Sequence, residues 1–382
     1  MAVWFSASAV VASLAEAWSL SESGRAWLTM SVQLGFVAGT LAVSLLNLPD
    51  RWPAQRLFAA SALAGALATG ALPALVDGFV PALILRLLTG VAMAGVYPVG
   101  MKIMATWTKD DRGLGIGLLV GALTVGSASP HLLRALGSAA DWRLVLYLAA
   151  GLAAVASAVA GFFVREGPLK SPSPRLNWAY AGRIWRERAT ALVNLGYLGH
   201  MWELYAMWTW LPSFLTASYA ASGIGARTAA LASFAVIGVG GLGSVAAGKI
   251  ADRVGRPAVT IAALAVSGSC ALSVGFLFGG SPTALTAVCL VWGFAVVADS
   301  AQFSAGLSEL CRPEYTGTAL AIQTSLGFLL TMVTIRLVPM LVNAVGWRYA
   351  FAALAAGPAV GAWAMARLRR PPEAAQTARG RG

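Results

Sequence analysis

Residues 228–257 read TAALASFAVIGVGGLGSVAAGKIADRVGRP, an apolar stretch that ends in a short charged turn. No charged side chain occurs between residues 228 and 248. An α-helix needs about 20 consecutive apolar residues to cross the hydrocarbon core of a bilayer. The stretch therefore predicts a transmembrane helix, followed by a polar turn at one face of the membrane.

The composition of the whole chain is that of a membrane protein. Of its 382 residues, 58% are hydrophobic and 11% are charged, whereas soluble domains carry about 25% charged residues. Glycine occurs 42 times, which is typical of helices that pack closely in a bilayer. The sequence lacks the alternating pattern of outer-membrane β-strands. We therefore predict an all-α membrane protein.

Twelve apolar segments are predicted to be transmembrane helices, and they are numbered span 1 to span 12 in chain order. A charged connection divides them into an N-terminal six-helix bundle (1–164) and a C-terminal six-helix bundle (190–368). A cytoplasmic linker (165–189) joins the bundles, and a cytoplasmic tail (369–382) follows them. The predicted spans are 1–17, 27–48, 55–76, 79–104, 113–136, 142–164, 190–214, 228–250, 257–279, 283–307, 317–343 and 347–368.

The two bundles are related by an internal repeat. Three sequence landmarks recur at an offset of 202 to 205 residues, which is hard to produce by chance. Two similar six-helix halves predict a transporter whose site lies near the bilayer midplane between them. The paired landmarks are Asp50-Arg51 with Asp252-Arg253, Gly113 with Gly317, and Trp142-Arg143 with Trp347-Arg348.

The first span is shorter than its counterpart in the second half. The offset aligns span 7 with a segment that starts before Met1. We expect either that the true start lies roughly ten residues upstream or that the first span is tilted in a locally thinned bilayer.

The distribution of basic residues predicts the orientation in the membrane. Of the 27 Lys and Arg residues, 20 lie on one side of the predicted spans, together with both termini. Three more lie inside spans, and four lie on the opposite side: Arg25, Arg143, Arg227 and Arg348. The positive-inside rule therefore places both termini in the cytoplasm. It also accounts for the net charge of +12 without a nucleic-acid partner.

Several motifs resemble those of the major facilitator superfamily, and the resemblance covers the whole chain. The turn Gly248-Lys-Ile-Ala-Asp252-Arg253-Val-Gly255-Arg256-Pro257 is similar to the loop signature of this family. The first half keeps the pair Asp50-Arg51 without the glycines, and Arg86-Leu-Leu-Thr-Gly90 resembles a second family motif. The resemblance implies two pseudo-symmetric bundles, alternating access, and a cavity lined by spans 1, 4, 7 and 10.

The loop motif has properties that suit a cytoplasmic gate. Asp252 can accept hydrogen bonds from a helix N-terminus or from an arginine of a neighbouring span, and Gly255 permits a tight turn. The alternative is a basic loop that serves only to set topology. The predicted gate residues are Asp50, Arg51, Asp252, Arg253, Gly255 and Arg256.

Three ionisable side chains inside the predicted spans are candidates for proton coupling. His200 and Glu203 lie one turn apart in span 7, and Asp299 lies near the middle of span 10. Ionisable groups inside a membrane are costly and usually functional. We predict that these three residues take up and release a proton in each cycle. Permanent hydrogen bonds or packing roles are the alternatives.

A substrate site is expected near Arg86, a third of the way into span 4. The resemblance implies that Arg86 points inward and takes part in coupling or in anion binding, while a structural hydrogen-bonding role is the alternative. His131 and Arg134 are possible helpers, although Arg134 is more simply explained by reaching the interface. The predicted substrate-binding residues are Arg86, Tyr97, Trp202, Trp210, Gln302, Ser6 and Ser8.

Glycine patterns in spans 5 and 8 predict close helix packing. Gly238-Val-Gly240-Gly-Leu-Gly243 satisfies GxGxxG, but it lies inside an apolar span with no preceding strand, so a dinucleotide site is not expected. Small residues recur every four positions in both spans. In the family that this chain resembles, these two spans meet between the halves. The small residues are Gly113, Gly117 and Gly121, and Gly240, Ser244 and Gly248.

We predict a proton-coupled secondary transporter that carries a small organic or inorganic anion by symport. The alternative is a proton-driven drug or metabolite efflux antiporter, in which Glu203 and Asp299 attract a cation among the aromatic residues of span 7. A non-transporting receptor is a remote alternative. The sequence shows no nucleotide-binding loop and no nucleophile–base or metal constellation, so no enzyme activity, metal or cofactor is expected. The expected partners are a small-molecule substrate, protons and lipid, for a monomer in a bacterial inner membrane.

Overall fold

The computed structural model describes residues 1–108, 112–136, 141–169, 180, 182–312 and 315–369. Residues 170–179 of the predicted linker and 370–382 of the predicted tail lie outside the described residues. The described part of the chain is helical and contains no β-strand. The predicted all-α membrane fold is therefore confirmed.

Ten helices of the described chain are long and apolar enough to cross a membrane, and they correspond to spans 2–6 and 8–12. Two one-turn helices, Leu48–Arg51 and Arg183–Arg186, lie in connections. The ten spans are Glu22–Leu45, Ala54–Leu75, Phe79–Ala105, Gly113–Leu136, Trp142–Phe162, Ala226–Val254, Arg256–Leu277, Pro282–Leu310, Thr316–Val345 and Trp347–Leu368.

Spans 1 and 7 differ from the other ten. Span 1 consists of two short helices, Ala2–Ala9 and Val11–Ala17. Span 7 is a single helix of 34 residues, Arg188–Ala221, whose polar and aromatic side chains lower its hydropathy. Neither is among the helices that qualify by length and apolar composition. The count of twelve spans therefore stays a prediction for these two positions.

Spans 4 and 10 are both interrupted at positions that the repeat relates. Span 4 consists of Phe79–Met93 and Tyr97–Ala105, and span 10 consists of Pro282–Ala298 and Ser300–Leu310. The two interruptions, residues 94–96 and Asp299, are separated by the offset found in the sequence. In span 4 a proline, Pro98, is the second residue of the second segment, where it costs no hydrogen bond. In span 10 an aspartate, which favours helix starts, occupies the interruption.

The two halves contact each other closely along spans 5 and 8. A Cβ atom added to Gly248 would lie 2.6 Å from the carbonyl oxygen of Gly113, and one added to Gly117 would lie 2.9 Å from that of Ser244. A Cβ atom on Gly241 would lie 3.1 Å from the carbonyl oxygen of Gly121. The backbones thus approach to a distance that larger side chains would prevent, and the predicted packing of these spans is confirmed.

The halves also meet at the opposite end of the bundle and at its centre. The side-chain amide of Asn343, near the end of span 11, donates a hydrogen bond to the carboxylate of Glu22 at the start of span 2. At the centre, the rings of Phe36 in span 2 and Phe328 in span 11 have centroids 4.6 Å apart. The described conformation is therefore closed at three levels.

The backbone contact between spans 5 and 8 predicts a specific effect on stability. We expect Gly248→Val to lower the free energy of unfolding by about 1–3 kcal/mol, because its Cβ meets backbone that cannot move aside. The thermal unfolding midpoint of the purified protein in detergent measures this effect.

The control is Gly238→Val in the same helix, where the nearest atom to an added Cβ, in Ala128, is 3.9 Å away. An equal loss of stability in both variants would show that β-branching, and not the contact between the halves, is responsible.

Candidate functional site

A cluster of six aromatic rings, called the central cluster below, occupies the space between the two halves. Its rings come from spans 1 and 2 of the first half and from spans 7 and 11 of the second. Contacts within it cross between the halves: the Trp4 and Phe328 centroids are 5.2 Å apart, and those of Phe5 and Trp208 are 5.5 Å apart. The members are Trp4, Phe5, Phe36, Tyr205, Trp208 and Phe328.

Buried polar groups with no partner accompany the central cluster. The indole N–H groups of Trp4 and Trp208 and both amide atoms of Gln33 make no hydrogen bond within the described part of the chain, and nor does the Ser325 hydroxyl. Gln33 lies one helical turn before Phe36, and Ser325 lies one turn before Phe328. Since buried polar groups are normally paired, these donors and acceptors are candidates for contacts with a bound molecule.

Arg86 is buried and bonded to backbone carbonyl groups. Its Nε donates to the oxygen of Leu28 at 3.2 Å, its Nη1 donates to that of Val3 at 2.7 Å, and its Nη2 donates to that of Trp4. The guanidinium therefore holds span 1 against spans 2 and 4 in this conformation. The side chain is fully buried, and its role in coupling or anion binding stays a prediction.

Glu203 is fully buried and joins three spans of the second half. Its Oε1 accepts a hydrogen bond from Trp292 Nε1 in span 10 at 2.7 Å, and its Oε2 accepts one from the Ser267 hydroxyl in span 9 at 2.9 Å. Both oxygens are thus bonded to neutral donors. Glu203 is not bonded to His200, although the two side chains lie one turn apart.

His200 faces Asp299 instead, across from the interruption in span 10. The Nδ1 atom of His200 lies 2.9 Å from Oδ1 of Asp299, and both side chains are at most 2% exposed. Within the described residues, neither Asp299 oxygen accepts a hydrogen bond and His200 Nε2 has no partner. The pair is therefore close but incompletely satisfied.

The remaining predicted substrate residues are spread over the interior. Ser8 bonds to Thr29 of span 2 at 2.6 Å, and Ser6 donates to its own helix at the oxygen of Val3. Tyr97, which starts the second segment of span 4, is half-buried against the core. These three side chains belong to spans 1 and 4, which the family resemblance places around the cavity.

The two predicted tryptophans of span 7 face neighbouring helices of their own half. Trp202 Nε1 donates to the carbonyl oxygen of Ala353 in span 12 at 3.1 Å. Trp210 Nε1 donates to that of Ile335 in span 11 at 2.8 Å. Neither indole belongs to the central cluster in this conformation, whereas Tyr205 and Trp208 of the same span do.

The predicted gate residues of the second half connect spans 5, 8, 9 and 10. The Asp252 carboxylate lies against Gly113 at the N-terminus of span 5, and its Oδ1 is 3.7 Å from Arg256 Nη2. Arg256 forms a two-pronged pair with Glu309, at 2.8 and 2.6 Å. Gly255 has a φ of 92°, which an L side chain would adopt only with strain. Asp252 thus contacts the other half of the protein, as a gate requires.

The corresponding loop of the first half is built differently. Asp50 pairs with Lys102 at the end of span 4, with an Nζ to Oδ1 distance of 2.6 Å. This pair joins two elements of the same half, so the two copies of the motif have diverged in their contacts. Arg51 and Arg253 are exposed.

His131 and Arg134 lie on span 5 near span 1. Arg134 Nη1 donates to the carbonyl oxygen of Ala9, just before the interruption of span 1, at 3.2 Å. It bonds to protein backbone here, which differs from the interfacial role that its position near the helix end suggests. His131 is fully buried, and neither ring nitrogen has a partner within the described ranges.

Sequence reasoning missed several residues of the central cluster and its surroundings. Trp4, Phe5, Phe36, Phe328 and Gln33 lie on apolar helices, where large side chains are most simply explained by packing. Gln33 carried a usable signal, since an amide between apolar residues of a span is costly unless it has a function. No local pattern indicates which aromatic rings meet across the halves.

Comparisons with known proteins agree with this architecture. The family model of the Major Facilitator Superfamily matches residues 1–335 and, again, residues 194–382. The Probable L-galactonate transporter of Escherichia coli (strain K12) is 25% identical over 167 residues, covering 39% of this chain and 37% of that protein. The match thus spans well under half the length of that relative. The structure of the MFS proton:xylose symporter XylE bound to 6-bromo-6-deoxy-D-glucose is similar in fold, with a TM-score of 0.71, 15% identity, and coverage of 96% of this chain and 93% of that chain.

The bonds of Arg86 predict a loss of stability on substitution. Arg86→Lys keeps the charge but cannot reach three separate carbonyl groups, so we expect the free energy of unfolding to fall by about 1–3 kcal/mol. Thermal unfolding in detergent measures the loss.

Arg336→Lys in span 11 is the matched control, because this half-buried arginine makes no hydrogen bond or ion pair with the described residues. If both variants unfold at the wild-type temperature, the three carbonyl contacts do not hold span 1 in place.

Proposed function

This chain belongs to the Major Facilitator Superfamily, and we propose that it is a proton-coupled symporter of a small organic anion in a bacterial inner membrane. It is a multi-pass membrane transporter and not an enzyme. In the proposed cycle the two halves move relative to each other, as a monomer, and expose the central cluster to one side of the membrane at a time.

The observation that carries proton coupling is the group of three buried ionisable side chains in the second half. Glu203, His200 and Asp299 are each about 1% exposed, and they lie between spans 7, 9 and 10. An unpaired charge in such a place is costly. The number of protons that the three side chains carry therefore decides the charge of this region. When the halves open, water reaches these side chains and allows them to exchange protons.

An anionic substrate is supported by the groups around the central cluster. Arg86 is a buried cation, and the N–H donors of Trp4, Trp208 and Gln33, which have no partner among the described residues, point to a ligand rich in acceptors. A carboxylate would compete for Arg86 with the carbonyl oxygens of span 1. L-Galactonate and xylose, after which the two similar transporters are named, carry hydroxyl groups that suit these donors. We therefore favour an organic anion with hydroxyl groups over an inorganic one.

Proton-driven efflux of a drug or metabolite is the second candidate, and the central cluster is the observation that favours it. Six aromatic rings between the halves offer faces to a flat or cationic compound. Such a compound would be attracted by the carboxylates of Glu203 and Asp299. Transport of cationic dyes, with no transport of hydroxy acids, would select this candidate.

Glu203→Gln tests the coupling directly. The variant keeps a hydrogen-bonding side chain of the same shape but cannot exchange a proton. In proteoliposomes we expect uptake of L-galactonate or D-gluconate driven by a pH gradient to fall by about 10–100-fold, while exchange at equal pH on both sides is retained.

Glu16→Gln, an exposed carboxyl in span 1, is the matched control and should transport as the wild type does. Gradient-driven uptake at the wild-type rate in Glu203→Gln would contradict coupling through this residue. Loss of both uptake and exchange would instead assign Glu203 to substrate binding or folding.

The proposed orientation places both termini in the cytoplasm, and single cysteines test it. Asp77 has a side chain that is 94% exposed, and Arg51 is exposed at the opposite end of span 3. We expect Asp77→Cys to react with an impermeant maleimide from outside right-side-out vesicles, and Arg51→Cys to react after the vesicles are opened.

The wild-type protein gives the background in this assay. Its three cysteines are buried, and burial raises the pKa of the Cys311 thiol, which lies in the loop after span 10, to about 11. The reverse pattern of labelling would invert the proposed topology.

A further inference from the structure

The second segment of span 10, Ser300–Leu310, touches both the proton-coupling pair and the cytoplasmic gate. Asp299 immediately precedes its first residue, and Gln302 and Glu309 project from it two turns apart on one face. Between them lies Gly306, where an added Cβ would be 3.8 Å from Cδ of Arg256. The gate arginine thus lies along this face of the helix.

Arg256 bonds to both ends of that face. Its Nη1 donates to Gln302 Oε1 at 2.7 Å, while Nε and Nη2 donate to Glu309 at 2.8 and 2.6 Å. Arg256 is 4% exposed and also approaches Asp252, which contacts the first half. A small movement of the helix would therefore change the position of the arginine beneath the contact between the halves.

At the N-terminal end of the segment, the Asp299 carboxylate can bond either to a backbone N–H of the helix or to His200. It occupies the N-cap position of the segment, where an aspartate side chain usually accepts a hydrogen bond from a backbone N–H two or three residues later. Here its side chain makes no such bond, and the N–H of Gln302 bonds instead to the backbone oxygen of Asp299 at 2.9 Å. The carboxylate is turned toward His200, 2.9 Å away.

We propose that Gln302 is a positioning residue, which transmits the protonation state of the His200–Asp299 pair to the Arg256 gate through the segment Ser300–Leu310. This inference rests on the proposed proton-coupled function. With a proton on His200, the ion pair keeps Asp299 away from the helix start. When the proton leaves, the carboxylate turns to cap the N–H of Gln302, and the segment moves with its contacts to Arg256.

Other titratable groups surround the pair and share its electrostatic environment. Their presence means that the response to pH belongs to the group as a whole. They are Glu203 and Tyr197 of span 7, Cys270 and Arg256 of span 9, and Glu309 of span 10.

The test uses a native thiol at the end of the same segment and requires no substrate. Cys311 follows Leu310 and is 6% exposed, so its reactivity reports movement of the segment. Its labelling by N-ethylmaleimide is measured in proteoliposomes by peptide mass spectrometry. The labelling rate of Cys311 in the folded protein is divided by its rate in the unfolded protein at the same pH, which removes the effect of thiol ionisation.

In the wild type we expect this normalised rate to change by about fivefold or more between about pH 5.5 and about pH 8. Gln302→Met keeps the volume of the side chain but lacks the acceptor for Arg256, and we expect its rate to vary by less than about twofold over the same range. Asp299→Asn, which cannot form the ion pair, should be equally insensitive to pH.

Ser308→Ala is the matched control, because among the described residues its hydroxyl bonds only within the same segment, to the oxygen of Ala305. It should keep the wild-type response. A response in Gln302→Met equal to that of the wild type, or a wild-type rate that does not change with pH, would overturn the proposal.

The two hypotheses fail in different experiments. Absence of gradient-driven uptake in the wild type, with a labelling response that depends on Gln302, would refute symport and leave the connection to the gate intact. Gradient-driven uptake by the wild type, together with a wild-type labelling response in Gln302→Met, would refute only the connection between the His200–Asp299 pair and the gate.

Discussion

Hydrocarbon offers no hydrogen bonds, so every backbone carbonyl and N–H group in the spans needs a partner inside the protein. Continuous helices meet this requirement by themselves, and interrupted ones do not. At the interruptions in spans 1, 4 and 10, side chains and neighbouring helices therefore have to supply hydrogen-bond partners that the helix itself does not provide. Arg86 and Arg134 donate to carbonyl groups of span 1 from two sides, which makes this short span part of a common framework with spans 4 and 5.

The repeat gives the two halves similar backbones with different polar contents. Interruptions at equivalent positions in spans 4 and 10 give each half a short, separate helix segment. In the first half the buried charge is Arg86, bonded to backbone. In the second half it is the group of Glu203, His200 and Asp299. This division places a buried arginine in the first half and two buried carboxylates with a histidine in the second.

The contacts between the halves differ along the membrane normal, and this difference suits a moving interface. Spans 5 and 8 meet through backbone atoms and glycines, as at Gly113 and Gly248, which allow sliding without interlocked side chains. Polar contacts lie at the two ends, at Asp252 and at Glu22 with Asn343. Aromatic rings fill the centre.

Sequence alone determined the fold and supplied candidate site residues, because hydrophobic length, basic-residue asymmetry and repeated motifs are properties of local segments. It identified Arg86, Glu203, His200 and Asp299 from the cost of charge in lipid, and Gly255 from the requirements of a tight turn. The choice of partners was decided by the tertiary structure alone. Trp292 rather than His200 bonds to Glu203, Gln302 contacts Arg256, and Trp4 meets Phe328. These pairings depend on how helices far apart in the chain are rotated and packed against each other, which no local pattern specifies.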